Sequence, residues 1–405
     1  MPHAIILGDV HLGKGINIGK AGVGSNLNSR VADQLNLLDW TLEQAVERAA
    51  DHIILTGDIF EDPKPHPSLI AMFIAWLKKC QAYNIYVDII LGNHDMMRSG
   101  VTFTSSLDII SEIDLDNVSV YKDINTFMIG TTAITIMPFR DRKSFNSQSN
   151  ADAVEILKES LVYELASIPV TYKKILVGHL AIEGSIPVGD EIDDIANELF
   201  CPLDMFTGYD YVWMGHVHKP QIMKRKNPFI AHIGSMDISN FGETDHLKHI
   251  VIIDCDTPAS SKDFIIEYLP TRPLKKVCIT VPKDTIDSTA YVLSILEKYK
   301  DSKDPFDKAI VRVEVSLAVP ELKSINKLDI EKYLTTQGAF NVTGISETKK
   351  IALIKKDGAN TIDTKMDVVT SIKEYARTYV DTIIHDDFIE LAMDIYKTYN
   401  EELKE

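Results

Sequence analysis

The chain has 405 residues, 45% of them hydrophobic and 25% charged, the proportions of an ordinary globular protein; at this length two or three domains are expected. A net charge of −17 argues against general affinity for nucleic acid, because phosphate binding needs clustered Lys and Arg. No run approaches the roughly 20 apolar residues that span a bilayer. Cys80, Cys201, Cys255 and Cys278 follow neither metal nor disulfide spacing, so a reducing, cytoplasmic setting is expected. The opening MPHAIILGD reads as a strand rather than a signal peptide.

In chain order, the short apolar strand Ala4–Leu7 runs into Gly8-Asp9-Val10-His11. A period of two puts Asp9 and His11 on the same side of an extended chain, and mixed carboxylate and imidazole ligation suits a transition ion better than calcium. Leu12–Asn28 is rich in Gly and carries Lys14 and Lys20, but it lacks the Gly-Lys-Ser/Thr ending of a phosphate-cradling loop; a flexible substrate-side loop is expected. Asn28 or Ser29 can cap a helix whose Leu35, Leu38, Leu42, Ala45 and Ala49 recur at helical spacing. The strand His52–Thr56 ends in Gly57-Asp58. Pro63 and Pro65 then delay the next helix until Pro67 or Ser68, with Phe73, Trp76 and Leu77 as core. Ile85–Leu91, a β-branched run of the kind buried on both faces, ends in Gly92-Asn93-His94-Asp95. An amide oxygen and an imidazole can both serve a metal site, and a neighbouring carboxylate can orient the ring.

Beyond it lie a short helix near Ser106–Glu112, strands at Val118–Tyr121 and Ala133–Met137, a basic turn Arg140-Asp141-Arg142-Lys143 and a helix over Ala151–Ala166. Two more strands end alike, Lys174–Val177 in Gly178-His179 and Tyr211–Met214 in Gly215-His216-Val217-His218. Alternation of strand and helix is the pattern of a layered α/β domain, whose ligand chemistry gathers at the carboxyl ends of strands. Phe229–Ile233, His249–Cys255 and Phe264–Leu269 follow without helices between them and imply a second sheet. Five of the 12 histidines stand at these strand ends; the other seven read as surface or satisfied core.

The order Asp9-x-His11, Gly57-Asp58, Gly92-Asn93-His94-Asp95, Gly178-His179 and Gly215-His216-x-His218 resembles the signature of the calcineurin-like metallophosphoesterase superfamily. Within it, the chain is similar to SbcD-type nuclease subunits of double-strand-break repair complexes, through GDVHLG, GDIFED, GHVHKPQ, Gly234-Ser235-Met236-Asp237 and Phe241-Gly242-Glu243. The likeness is clear over about residues 1–270 and faint beyond. It implies an α/β fold, a two-sheet sandwich flanked by helices over 1–270, with an α+β capping domain at 271–358 and a helical tail at 359–405. It implies two Mn²⁺ ions, one held by Asp9, His11, Asp58 and His218, the other by Asp58, Asn93, His179 and His216, with Asp58 bridging. His94 would be the catalyst that protonates the leaving oxygen, and Asp95 would fix its tautomer. Many archaeal and eukaryotic members have His three residues after the bridging Asp; here Glu61 stands in that place.

Past residue 270, Arg272–Gly358 has 16 Lys/Arg against 12 Asp/Glu, and Ala359–Glu405 has 5 against 11. The middle segment reads strand (Lys276–Val281), helix (Ser288–Lys300), strand (Ala309–Leu317), helix (Leu328–Gln337), then strands near Phe340 and Ile351. In the tail, Val369, Ile372, Tyr379 and Ile383 form one apolar stripe, and Phe388, Leu391, Ile395 and Tyr399 another. Short amphipathic helices cannot bury such faces alone; the resemblance implies docking on the coiled coil of an SMC-like ATPase subunit, with DNA ends as substrate and a homodimer as the assembly. A stand-alone phosphatase or cyclic-nucleotide phosphodiesterase is the alternative, although the G-D-x-V-D-R-G of the Ser/Thr phosphatases is absent. A non-catalytic scaffold would predict eroded ligand positions, and none is missing.

Overall fold

Alternation along the first strand organises the architecture. In the computed structural model of the chain, His3–Leu7 sends Ala4 and Ile6 to one side and Ile5 and Leu7 to the other, and all four are fully buried. A strand covered on both faces needs this near-continuous apolar run. The structure describes residues 3–349 apart from 23–26, 98–103, 114, 188–197, 258–263, 300–305 and 320, together with 388, 389 and 391–393.

Six strands form the first sheet, in the order Phe264–Tyr268, His249–Asp254, His3–Leu7, Ala50–Leu55, Tyr86–Ile90 and Val118–Tyr121. The last four run parallel, and His249–Asp254 is antiparallel to His3–Leu7. The second sheet repeats the plan, in the order Gln221–Arg225, Phe229–His232, Tyr211–Gly215, Lys173–His179, Thr132–Met137 and Asn125–Ile129. Its four central strands are parallel and both outer ones antiparallel.

Ala4, Ile6, Ile54 and Ile90 of the first sheet meet Ile134, Ile136, Ile175, Val177 and Trp213 of the second in one buried cluster, the sandwich core. The outer faces pack on helices: Leu38, Leu42, Phe73 and Trp76 from Ser29–Glu47 and Pro67–Ala82, and Leu157 and Leu161 from Asn150–Ser167. Each Leu, Ile or Phe so buried contributes about 1.5–3 kcal/mol of hydrophobic stabilisation. The second sheet is thus real but differently composed from the expectation. Of the three late strands assigned to it, only Phe229–His232 belongs; His249–Asp254 and Phe264–Tyr268 extend the first sheet instead. Strand spacing indicates pairing, but not which edge a strand joins.

A third sheet takes the strands in the order Leu274–Val281, Ile310–Leu317 and Asn341–Lys349, with the helices Ser288–Tyr299 and Lys327–Thr336 between them. It meets the body through a small core of Ile18, Ile238, Phe241, Leu274 and Ile310. Arg272 grips both carboxylate oxygens of Asp33 at 2.6 and 2.8 Å and lies over the Phe340 ring. Asn341 donates to the carbonyl of Ile18 at 2.8 Å. Part of the Gly-rich stretch expected as a substrate-side loop serves as a seat for this sheet: Ile16–Ile18 is a 3₁₀ turn with Ile18 buried.

Residues Met1–Leu317 and Leu322–Thr348 form one compact unit, and Ala318–Glu321 with Lys349–Glu405 a second. Most of the expected tail helices lie outside the described residues; Phe388, Ile389 and Leu391–Met393 are helical. None of the described helices is long and apolar enough to cross a membrane.

Candidate metal centre

The strand ends of both sheets converge on one cluster. Asp9 and His11 follow His3–Leu7, Asp58 follows Ala50–Leu55, and Asn93 to Asp95 follow Tyr86–Ile90. From the second sheet His179 ends Lys173–His179, and His216 and His218 follow Tyr211–Gly215. Glycine is needed where these turns crowd together: a Cβ at Gly92 would overlap the Asp58 carboxylate, and one at Gly215 would overlap that of Asp9. His11, Asp58 and His216 adopt positive φ of 45°, 45° and 81°. Such backbone costs of order 1–3 kcal/mol per residue and persists where the surroundings over-determine it. Here main-chain hydrogen bonds do so, among them His11 N–H to the Asp58 carbonyl at 2.7 Å and His216 N–H to Asp9 Oδ2 at 2.7 Å.

Asp58 occupies the middle. Its Oδ2 lies 3.4 Å from His11 Nε2 and 3.4 Å from His179 Nε2, while Oδ1 accepts the His94 N–H at 2.8 Å. Burial would raise its pKa, but His179 above all, through its charge and a hydrogen bond, outweighs burial and holds the carboxyl well below the usual range. On one side, Asp9, His11 and His218 bring a ligand atom each within 4.8 Å of one another, and so do Asp9, Asp58 and His179 on the other. His11 and His218 face each other Nε2 to Nε2 at 2.9 Å. Asn93 Oδ1 lies 2.9 Å from His179 Nε2 and 3.1 Å from His216 Nδ1.

The outward nitrogens show which way each ring is turned. His179 Nδ1 donates to the Thr56 carbonyl at 2.8 Å, and His94 Nδ1 to the Glu61 carbonyl at 2.9 Å. His11 Nδ1 lies 2.8 Å from Glu61 Oε2, and His216 Nε2 lies 2.7 Å from Glu198 Oε2; these two are ion-pair distances rather than aligned hydrogen bonds. His218 Nδ1 looks toward Glu243 Oε1 at 3.8 Å. Carbonyls and carboxylates only accept, so a proton belongs on each outward nitrogen and the inward one is left for the cluster.

This donor set fits divalent cations. His179 and His216, ring centroids 5.2 Å apart, each have an acceptor outside, so their inward nitrogens and the Asn93 oxygen turn lone pairs toward one point, as ligands of a cation would. Burial alone would lower the pKa of His179; the carboxylates of Asp58 and Asp9 reverse this and lift it to about 10. The field that holds a proton there would hold a metal ion as well. Burial, reinforced by the charge of Lys14, lowers His11 to about 4, which keeps it a neutral donor. Two carboxylates, imidazoles and one amide oxygen suit a first-row transition ion.

All nine residues expected at the site are present in this region, but Asp95 has a different job. Its Oδ1 and Oδ2 accept the main-chain N–H groups of Ile59 and Gly92 at 2.9 and 3.0 Å. It therefore locks the Asp58 and Asn93 turns together and does not fix the His94 tautomer, which falls to the Glu61 carbonyl. Adjacency in sequence misled here, because successive side chains on a turn diverge. Burial, with the nearby Asp58 charge, pushes the Asp95 carboxyl up to about 7.

Sequence reasoning missed the support around the histidines. Lys248, fully buried, donates to the His218 carbonyl at 2.9 Å, Ser235 Oγ at 2.7 Å and Glu243 Oε2 at 2.7 Å. Glu243 stands in the Phe241-Gly242-Glu243 motif, which by itself gave it no role, and Glu198 carries no sequence signal. His232 is a satisfied core histidine, as expected, with Nδ1 3.1 Å from the Gly215 carbonyl.

Comparison with known proteins agrees with this geometry. The family described as calcineurin-like phosphoesterase matches residues 3–220. The chain is 24% identical over 302 residues to the D component of the nuclease SbcCD of Escherichia coli (strain K12), covering 68% of this chain and 71% of that protein. The protein of the same name from Staphylococcus saprophyticus is 25% identical over 278 residues, covering 66% and 69%. "DNA double-strand break repair protein Mre11" of Methanocaldococcus jannaschii is 24% identical over 226 residues, covering 55% of each.

Proposed function

The chain belongs to the calcineurin-like phosphoesterase family, and from that premise we propose that it is a metal-dependent DNA nuclease, the catalytic subunit of an SbcCD-type repair complex. The observation that carries the reading is Asp58, whose Oδ2 stands 3.4 Å from a histidine of each half of the cluster. That is the place of a bridging carboxylate. Asp9, His11, Asp58 and His218 would hold one ion and Asp58, Asn93, His179 and His216 the other, with Mn²⁺ the expected metal. When bound, a pair of divalent ions polarises a phosphodiester and activates a water molecule.

The chain's own groups do the rest. Thr56 Oγ1 donates to Asp9 Oδ1 at 2.7 Å and the His216 N–H to Oδ2, so this carboxylate is held by both sheets. His94, half-buried, has its Nδ1 on the Glu61 carbonyl, so Nε2 is the nitrogen left for chemistry and would give a proton to the leaving oxygen when the ring carries a second one. Phe139 lies beside His179 and His216, with ring centroids 6.2 and 6.0 Å away, and keeps water from that flank of the cluster.

DNA as substrate is supported by the names of the relatives. Residues 271–358 would cap the cleft and residues 359–405 would dock an SMC-like ATPase, in a homodimer. Removing 360–405 should leave a folded, metal-dependent nuclease that no longer co-purifies with the ATPase; retained co-purification would refute the docking role.

One observation favours a second reading of His94. It offers a ligand atom within 4.8 Å of those of His11 and Asp58, as a third ligand would. Calorimetry with Mn²⁺ on His94→Ala separates the two: a catalyst leaves ion binding near the parental value, whereas a ligand takes it away.

A further inference from the structure

Glu61 touches two site histidines, one through its side chain and the other through its main chain. Its carboxylate Oε2 lies 2.8 Å from His11 Nδ1, and its main-chain carbonyl lies 2.9 Å from His94 Nδ1. Those two rings meet edge to face, centroids 4.9 Å apart. Lys14 holds the carboxylate by both oxygens, Nζ to Oε1 at 3.1 Å and to Oε2 at 3.0 Å. The backbone of this stretch is tied to the first turn, with Leu12 N–H on the Ile59 carbonyl at 2.9 Å and Glu61 N–H on the Leu12 carbonyl at 3.4 Å.

We propose that Glu61 is a positioning residue that sets the tautomer of both His11 and His94, with Lys14 as the anchor of its carboxylate. A carboxylate and a carbonyl offer only lone pairs, so both rings carry their proton on Nδ1 and turn Nε2 inward. For His11 that presents a lone pair toward Asp58 and His218; for His94 it leaves Nε2 as the nitrogen that takes up a second proton and hands it on. The two contacts differ in what a substitution can reach. Changing the side chain removes the partner of His11 and spares the carbonyl that serves His94. A family member with His three residues after its bridging Asp cannot offer His11 a carboxylate from that position, so this device belongs to chains with an acid there.

The inference rests on the metal-centre reading, but its test does not need DNA cleavage. Two-dimensional ¹⁵N–¹H spectra of histidine in the ion-free full chain report tautomers directly, and Mn²⁺ titration by calorimetry reports the consequence. The parent should show His11 and His94 as Nδ1–H tautomers. Glu61→Ala should shift His11 toward a mixture while leaving His94 unchanged, and should weaken Mn²⁺ affinity by about 10–100-fold, as loss of a histidine-orienting partner typically does. Glu61→Gln, whose amide oxygen can still accept, should restore most of the parental His11 signal. Lys14→Met should move His11 in the same direction as Glu61→Ala but less. Thermal melts of each variant should stay cooperative, and the spectra are read only on folded protein. An unchanged His11 tautomer in folded Glu61→Ala would overturn the inference, as would parental Mn²⁺ affinity in that variant. If the parent binds no divalent ion, the metal-centre reading fails, while the tautomer spectra still decide the role of Glu61.

Discussion

The two halves of the cluster are built from the same residue types but secured differently. On the Asp9, His11 and His218 side, the outward nitrogens look to side chains, Glu61 and Glu243, that are themselves held by Lys14 and Lys248. On the other side, His179 rests on the main-chain carbonyl of Thr56, and only His216 has a carboxylate, Glu198. A carbonyl at a strand end cannot be mutated away, and it moves only if the sheet moves. The first half can therefore be loosened without touching a candidate ligand, whereas at His179 only the ring itself can be changed. Asp58 belongs to both halves and makes them one site.

The largest effect should follow from removing what the halves share. Asp58→Ala takes the carboxylate from between His11 and His179, and an ion stabilises such a reaction by several kcal/mol, so cleavage of a DNA end in Mn²⁺ should fall by about 10³-fold or more. Near-parental turnover would break the comparison at its centre. Next comes a contrast between function and ligation. His94→Ala should cost about 10²–10⁴-fold in rate, the usual contribution of an acid–base group, with Mn²⁺ binding kept. His216→Ala should impair both, as calorimetry beside a cleavage assay would register. A smaller loss is expected from Glu198→Gln, which leaves the His216 ring in place but weakens its orientation; Mn²⁺ affinity should drop by about 10-fold. The smallest effect lies outside the cluster. Arg272→Met removes the grip on Asp33 at the third sheet, a partly exposed pair worth about 1 kcal/mol. Chemical denaturation should show that loss, and cleavage of a short oligonucleotide should not change.

Much of this was legible in the sequence because its chemistry repeats. Strand-end Gly followed by Asp or His marks the places where parallel strands deliver ligands, and a Cβ at Gly92 or Gly215 would strike a carboxylate. The sandwich itself follows from apolar runs such as His3–Leu7 and Tyr86–Ile90. What stayed hidden are contacts made across long sequence separations. Glu198 approaches His216 from a stretch of sequence with no periodic signal, and the Arg30–Asp237 pair, 2.5 Å across a separation of 207 residues, leaves no local trace. Asp95 was placed beside His94 by sequence and away from it by the turn. The left-handed backbone of His11, Asp58 and His216 could not be placed either: Asp and His visit positive φ more often than most side chains, but residue type does not say which of them will.

The central claim is that one carboxylate joins two ion sites. Its most direct test is the number of Mn²⁺ ions bound per chain, measured by calorimetry on the parent and on Asp58→Ala. Two ions in the parent and none held tightly in the variant is the predicted result. A parent that binds a single ion, or a variant that still binds two, would contradict it.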